Sequence, residues 1–456
     1  MGRGAAMTLG AILMLGGVSK AGAEDVSSLW SGMNLSGFEG SFPALPQNWA
    51  DLPFRLSLNQ GIQYNSNIFN DPNSVTSTGL VTLGKPVGDY ISTTNLGFAT
   101  TFRVNQQEFF ADASYGIYRY LNHANQNRAH NSGDLGMNWV AGQRCTGRFV
   151  FAAASSPSAP GEQIGVNVIN TVTTESFNET ANCTITGNWS ATLNSGYSKS
   201  TNSAAADATN NFRNVFLSAG VNYHVTETNT IALTGTVSHY EFPNRGEFLA
   251  SLLNSPALLS AALDTLPSVS SATTLKQLNL SYTKDISPNL SIIASAGLSS
   301  NSLSGIGSSV GNRTGGSGVS PQFSFSAHWS ITPKVSLSGS IARVVTPPTN
   351  TVGNVQTNES ATMSLDYKMT PKLSFSTGAS VTRTTSGLSS TNSSAVLETL
   401  FPNLAQSRNY GLNAGLNYTI TPFISSGLTY SYYKRVQTNQ TTTSNIFMLA
   451  LTYAPR

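Results

Sequence analysis

The chain has 456 residues, 10% of them charged, with 24 basic against 21 acidic side chains. So few and so balanced charges exclude an electrostatic binder of nucleic acid. Five scattered histidines (His123, His130, His224, His239, His328) and two cysteines show no metal-ligand spacing, so no metal or other cofactor is expected.

In residues 1–23, Arg3 precedes an apolar core from Ala5 to Val18, and Ala21-Gly22-Ala23 precede Glu24 and Asp25. This is the pattern of a secretory signal peptide. Its removal takes Arg3 and Lys20 and leaves 22 basic against 21 acidic residues, a net charge of +1. Residues 24–53 hold Trp30, Phe38, Phe42 and Trp49 among Gly and Pro without strand alternation, and read as a periplasmic or lumenal extension. From 54 to 456 one pattern continues without a linker, so a single domain is expected.

That pattern is the amphipathic hairpin. Phe323, Phe325, Ala327, Trp329 and Ile331 alternate with Ser324, Ser326, His328 and Ser330; Thr332-Pro333-Lys334 turns the chain; Val335, Leu337, Gly339 and Ile341 resume the alternation. Similar turns recur at Met369-Thr370-Pro371-Lys372 and Ile420-Thr421-Pro422-Phe423, with looser versions at Ile286-Ser287-Pro288-Asn289 and Val225-Thr226-Glu227-Thr228. Proline fixes φ and cannot donate to a ladder, which places it in turns.

Period-2 segments predict strands over 54–67, 90–104, 108–121, 130–140, 146–154, 173–185, 189–199, 211–224 and 229–242. They continue over 272–284, 290–300, 319–331, 334–346, 354–369, 372–386, 408–419, 423–433 and 441–453. These are about 18 segments, each near the length a tilted strand needs to cross a bilayer. No later stretch offers the roughly 20 apolar residues of a spanning helix, so an exported chain of this pattern must span as a closed antiparallel up-and-down β-barrel. Short turns alternating with long polar connections give the asymmetry of periplasmic and extracellular ends.

Aromatic rings recur at one height. Trp329, Tyr367, Tyr418 and Tyr223 stand two residues before the apolar residue of a turn; Tyr282 lies slightly further back, and Trp139 and Trp189 flank other short turns. A membrane interface selects such a belt, so these seven residues are expected to face lipid near the periplasmic boundary. Phe325, Leu365 and Leu416 should then face the membrane core.

The other face is the lumen. Ser324, Ser326, Ser330, Ser336, Ser338, Ser340, Thr362, Ser364, Ser374, Ser376, Gly378, Asn413, Gly415 and Asn417 fall on it, and Arg103, Glu108, Asp112 and Asp366 are its charged candidates by strand parity. Hydroxyls and amides exchange hydrogen bonds without strong charge selection, which suits water and neutral sugars. Long connections at 243–271 and 387–407 contain Leu252, Leu253, Leu258, Leu259 and Leu397, Leu400, Phe401, Leu404. These apolar pieces need a dry surface, either over the pore mouth or against other loops.

Cys145 and Cys183 are expected to form a cross-strand disulfide at the periplasmic edge if the connection between their strands closes symmetrically. No motif singles out a nucleophile among the many serines, so an enzyme is not expected.

The opening of the barrel, Arg55-Leu56-Ser57-Leu58-Asn59-Gln60-Gly61-Ile62-Gln63-Tyr64-Asn65-Ser66-Asn67-Ile68-Phe69, resembles the start of the β-barrel porin type 2 family. Tyr64 to Phe69 is its most specific part. The resemblance implies an outer-membrane porin, and, for some members, a place beside exopolysaccharide export systems with a periplasmic export partner. The end departs from the usual outer-membrane pattern, because Ala454-Pro455-Arg456 follows Tyr453 where a terminal aromatic is typical. Two functions are carried forward: a bacterial outer-membrane channel for small hydrophilic solutes or neutral (poly)saccharide, and a surface-structural or ligand-binding barrel with a closed lumen.

Overall fold

The computed structural model describes residues 54–69, 74–75, 85–157, 170–245, 271–304, 319–347, 356–386, 407–437 and 440–454. The expected signal segment, the 24–53 extension and the leucines of the two long connections lie outside these residues. The strands are β1 (Arg55–Asn65), the two-residue β2 (Ser74–Val75), β3 (Asp89–Val104), β4 (Gln107–Tyr120), β5 (Arg128–Ala141), β6 (Cys145–Pro157) and β7 (Thr171–Thr186). Next come β8 (Trp189–Asn202), β9 (Phe212–Thr226), β10 (Asn229–Glu241), β11 (Ala272–Ser287), β12 (Leu290–Ser304) and β13 (Val319–Thr332). The last are β14 (Val335–Thr346), β15 (Gln356–Lys368), β16 (Leu373–Ser386), β17 (Ser407–Thr421), β18 (Ile424–Gln437) and β19 (Gln440–Tyr453). Short 3-10 turns at Ala124–Gln126 and Ala205–Asn210, and β2, are elements that alternation alone does not reveal.

Each long strand pairs antiparallel with its sequence neighbours, and β1 pairs with both β3 and β19, so the 18 long strands close on themselves. Following the paired residues once around the barrel returns to β1 displaced by about 22 positions. With a rise of about 3.3 Å per residue and strands about 4.8 Å apart, that stagger gives a tilt of roughly 40° and a backbone diameter of about 35 Å.

The hairpins close through threonine as much as through proline. At 332–335, the N–H groups of Lys334 and Val335 donate to Thr332 Oγ1 at 3.2 and 3.1 Å. Thr370 accepts in the same way from Lys372 and Leu373 (3.2 and 3.0 Å), and Thr421 from Phe423 and Ile424 (3.2 and 3.1 Å). The hydroxyl satisfies amides that have just left the ladder, and proline at the next position has no amide to satisfy. Two other turns use a left-handed residue instead, Asn105 at φ 57° and Gly142 at φ 64°. All these short turns, and the outer ends of β1 and β19 at Arg55 and Tyr453, lie at one end of the barrel, which is the periplasmic end by the asymmetry of its connections.

The exposed large apolar side chains of the strands share one parity throughout. Leu58, Ile62, Leu96, Leu233, Leu280, Phe325, Ile341, Leu416, Leu428 and Leu451 are examples, and their immediate neighbours are small or polar. Water would penalise such a continuous apolar exterior at roughly 25 cal/mol per Å², whereas hydrocarbon does not. A closed barrel with this exterior is a bacterial outer-membrane protein.

Candidate functional site

The inward parity builds the lumen wall from facing hydroxyls. Ser338 and Ser364 lie 2.6 Å apart across β14 and β15, Ser340 and Thr362 2.7 Å, Ser295 and Ser324 2.7 Å, Ser114 and Ser132 2.7 Å, and Thr236 donates to Ser218 at 2.9 Å. Pairing in this way partly satisfies each hydroxyl while leaving lone pairs toward the bore. Ser326, Ser330, Ser336, Ser374, Ser376, Asn413 and Asn417 fall on the same face, and so does Asp366, opposite Ser336 and Ser376.

Charge is concentrated on one side of this wall. Arg103 faces Glu108 across β3 and β4, its Nη2 2.7 Å and its Nε 2.8 Å from Glu108 Oε2. Asn138 donates to the other Glu108 oxygen at 3.1 Å, and Arg148 on β6 stands opposite Asn138 with its guanidinium 4.4 Å from the centre of the Phe110 ring. Two outward steps along the strands, Asp112 and Asp134 are directly opposite each other. Higher still, Arg128 and His130 continue the stripe on β5, their rows shared with Tyr118 and Gly116 of β4. The lining is therefore less uniformly neutral than four scattered candidates suggest. Parity applied to the β5 segment could have found Asp134; Arg148 needed the registers of β4, β5 and β6 together.

The whole strand lining is nonetheless balanced. Among the described residues the lumen parity carries Arg55, Arg103, Arg128, Arg148, Lys368 and Arg435 against Asp89, Glu108, Asp112, Asp134, Asp285 and Asp366.

Toward the extracellular end several lumen-parity side chains are buried. Ile68, Ile91 and Tyr120 form a buried cluster with Phe69 and Tyr118 against it. Beside it the Asp89 carboxylate is fully buried and accepts from the backbone N–H groups of Tyr90, Asn122 and His123 and from the side chain of Asn122, with His123 Nδ1 2.8 Å away. It thereby pins the start of the β4–β5 connection to the wall. At the end of β10, Phe242 and Arg245 are both fully buried, the Arg245 guanidinium lying 3.5 Å from the Phe242 ring centre. Arg245 Nε donates to Thr209 O at 3.2 Å, and burial pulls its pKa down to about 9.

The upper ends of β14 and β15 contribute as well. β13 and β14 pair only as far as Phe323 and Arg343; beyond that, β14 continues with β15 alone. Val345, on the outward parity, is only 3% exposed, and its carbonyl accepts from Gln277 Nε2 of β11 at 3.5 Å. Gln277 also donates to Gln322 (3.2 Å), which donates to Asn279 (2.7 Å). This amide chain crosses the inner side of β12 at Gly297, where a Cβ would stand 2.0 Å from Asn279 Oδ1. Together these contacts draw the β14–β15 end inward over the bore.

The expected girdle residues all lie on the outward parity. Trp189, Tyr282, Trp329, Tyr367 and Tyr418 are exposed, Tyr223 packs on Trp189 with ring centres 4.7 Å apart, and Trp139 packs on Phe149 at 6.2 Å. Cys145 and Cys183 are opposite each other on β6 and β7 and are disulfide-bonded, on the outward parity close to the periplasmic turns. A Ser/His pair does occur on neighbouring strands: Ser190 Oγ is 3.4 Å from His224 Nε2 in the lumen. His224 Nδ1 faces the Thr230 hydroxyl at 3.0 Å, not a carboxylate, so the geometry of an activated nucleophile is not built there. No group of three metal-ligating side chains occurs among the described residues.

No protein-family model matches the chain, and no curated protein does either. The resemblance read at Tyr64 to Phe69 thus has no family model behind it. Among solved structures the chain is similar to the outer membrane protein OpdK of Pseudomonas aeruginosa, with 12% identity over 88% of this chain and 98% of that one and a TM-score of 0.44. It is also similar to the outer membrane protein OprD of the same organism (12%, 88% and 94%, TM-score 0.45) and to OpdL (11%, 89% and 100%, TM-score 0.42). The barrel's own strand pairing, not these likenesses, establishes its architecture.

Proposed function

We propose that the chain is an outer-membrane channel that passes small hydrophilic solutes, including neutral saccharides, with weak charge selectivity. The observation that carries this reading is the closed ring of 18 long strands, because barrels of 16–18 strands are too wide for wall side chains alone to fill. Paired hydroxyls and balanced charge then make passage depend on size and hydrogen bonding more than on sign. Export of a neutral polysaccharide with a periplasmic partner is the finer form of this proposal and rests on the resemblance at residues 64–69.

The burial of Ile91, Tyr120, Phe242 and Arg245 toward the extracellular end favours one alternative, a barrel closed at that end that serves a structural or binding role. Swelling of protein-containing liposomes separates the two. In isosmotic neutral sugars of increasing size, the expected result is entry that slows progressively from pentose to trisaccharide. No entry even of a pentose, with correctly folded protein in the membrane, supports the closed barrel.

A further inference from the structure

We propose that the outward face from β1 to β8 is the contact between copies of this chain in a closed three-subunit ring. Glu175 and Glu179 of one copy then meet Arg119, Thr94 and Gln60 of the next. Glu179 stands opposite Phe149 on β6 and Ser195 on β8, and shares the outward parity of the exposed Phe151, Leu193 and Tyr197. Its carboxylate has no hydrogen bond or ion pair among the described residues. An ionisable group in the apolar band of a membrane protein marks a place where something other than lipid is met.

The second interruption of that band has the complementary chemistry. Gln60, Ser92 and Thr94 share the outward parity of Leu58, Ile62 and Leu96, and Arg119 stands opposite Ser92 on the same face of β4. Gln60 Nε2 donates to Ser92 Oγ at 3.1 Å, and Thr94 donates to Gln60 Oε1 at 2.6 Å. One amide and two hydroxyls carry about four donor hydrogens between them, and these bonds use two. Two donors remain whichever way the amide is turned. Left in hydrocarbon, spare donors here and a bare carboxylate on β7 are each costly; brought together they satisfy one another.

Height and angle both match. At a tilt of roughly 40°, one residue along a strand is worth about 2.5 Å of height, and one strand along a row from β1 toward β19 about 3 Å. Tyr453 pairs with Leu58, so Gln60, two residues further, lies about 8 Å above that ring. The row of Trp139 reaches β7 at Ala181, so Glu179 lies about 11 Å above Trp139. Both levels fall inside an apolar band about 25 Å tall. Arg119 is then about 11 Å above Gln60, and Glu175 about 10 Å above Glu179, so the upper and lower pairs keep one spacing. With 18 long strands at about 20° each, β7 is about 60° from β4 and about 80° from β3. That is near the 60° between the two neighbours of a subunit in a three-fold ring. A two-fold contact centred on β7 would instead set Glu179 against Glu179, which like charge disfavours. This inference rests on the outer-membrane setting and is independent of whether the lumen conducts.

Thiol cross-linking of the full chain in its membrane tests it, since Cys145 and Cys183 are bonded to each other. Gln60→Cys with Glu179→Cys should give a ladder that ends at three subunits, whereas either variant alone should stay monomeric. In native mass spectrometry of the detergent-solubilised wild type the trimer should dominate, and Glu179→Leu should weaken it at least about tenfold. The Glu179→Leu barrel itself should be no less stable than the wild type, because the change removes a charge from the apolar band. A monomeric wild type would overturn the proposal without any variant. So would a double variant that cross-links no further than the single ones, or a Glu179→Leu protein that stays fully trimeric. Dimers from Glu179→Cys alone would show a two-fold contact and overturn the ring.

Discussion

Replacing Leu449 with arginine is expected to destabilise the membrane-folded barrel by about 2–4 kcal/mol, the cost of a cation on the lipid face near the bilayer midplane. Leu449 is 58% exposed on the outward parity of β19, between Ile62 and Leu428, and stands two outward rows from Tyr453. At a tilt of roughly 40° that is about 10 Å along the normal from the girdle, well inside the hydrocarbon. The matching change on the other parity, Ser376→Arg, puts its guanidinium in the lumen opposite Asp366, where water and a carboxylate receive it. Its effect should stay within about 0.5 kcal/mol. Urea titrations of folding into lipid vesicles compare the two; a larger loss for Ser376→Arg would mean that the lumen and lipid faces are exchanged.

The second large effect concerns ion selectivity. Asp112→Asn together with Asp134→Asn removes two carboxylates from adjacent lumenal positions while Arg103 and Arg148 remain two rows away. The described lining then changes from six carboxylates and six cations to four and six, with the loss concentrated at one level of the bore. Partly enclosed charges are screened less than exposed ones, so local composition governs which ion enters. The reversal potential in a tenfold KCl gradient should move from near zero toward the chloride potential. No movement would place the conducting path away from the β4–β5 wall.

Most of the barrel is legible in the sequence because its code is short-range. Alternation at Phe323 to Ile341 and the threonine or serine before each turn proline define hairpins from a few residues each, and the 18 segments correspond to the 18 long strands. The strands extend further than alternation suggests at several extracellular ends, as at β6, β8 and β18, where Ser155 to Pro157, Ser200 to Asn202 and Lys434 to Gln437 still pair. Backbone pairing there does not depend on an apolar side chain.

What could not be read is whatever needs several registers at once. The rows Arg103–Glu108–Asn138–Arg148 and Arg343–Glu359–Arg383–Arg408 each join four strands, and an error of one residue in any register would scatter them. The inward draw of the β14–β15 end is likewise invisible locally. It depends on Gln277, Gln322 and Val345 meeting from three strands across Gly297.

The central claim is that water fills a continuous path through this barrel, and single-channel recording in planar bilayers tests it most directly. Purified protein should insert in discrete steps, each giving a stable, ohmic current that scales with KCl concentration and with little preference between potassium and chloride. Correctly folded, membrane-inserted protein that carries no current across the whole voltage range would contradict it.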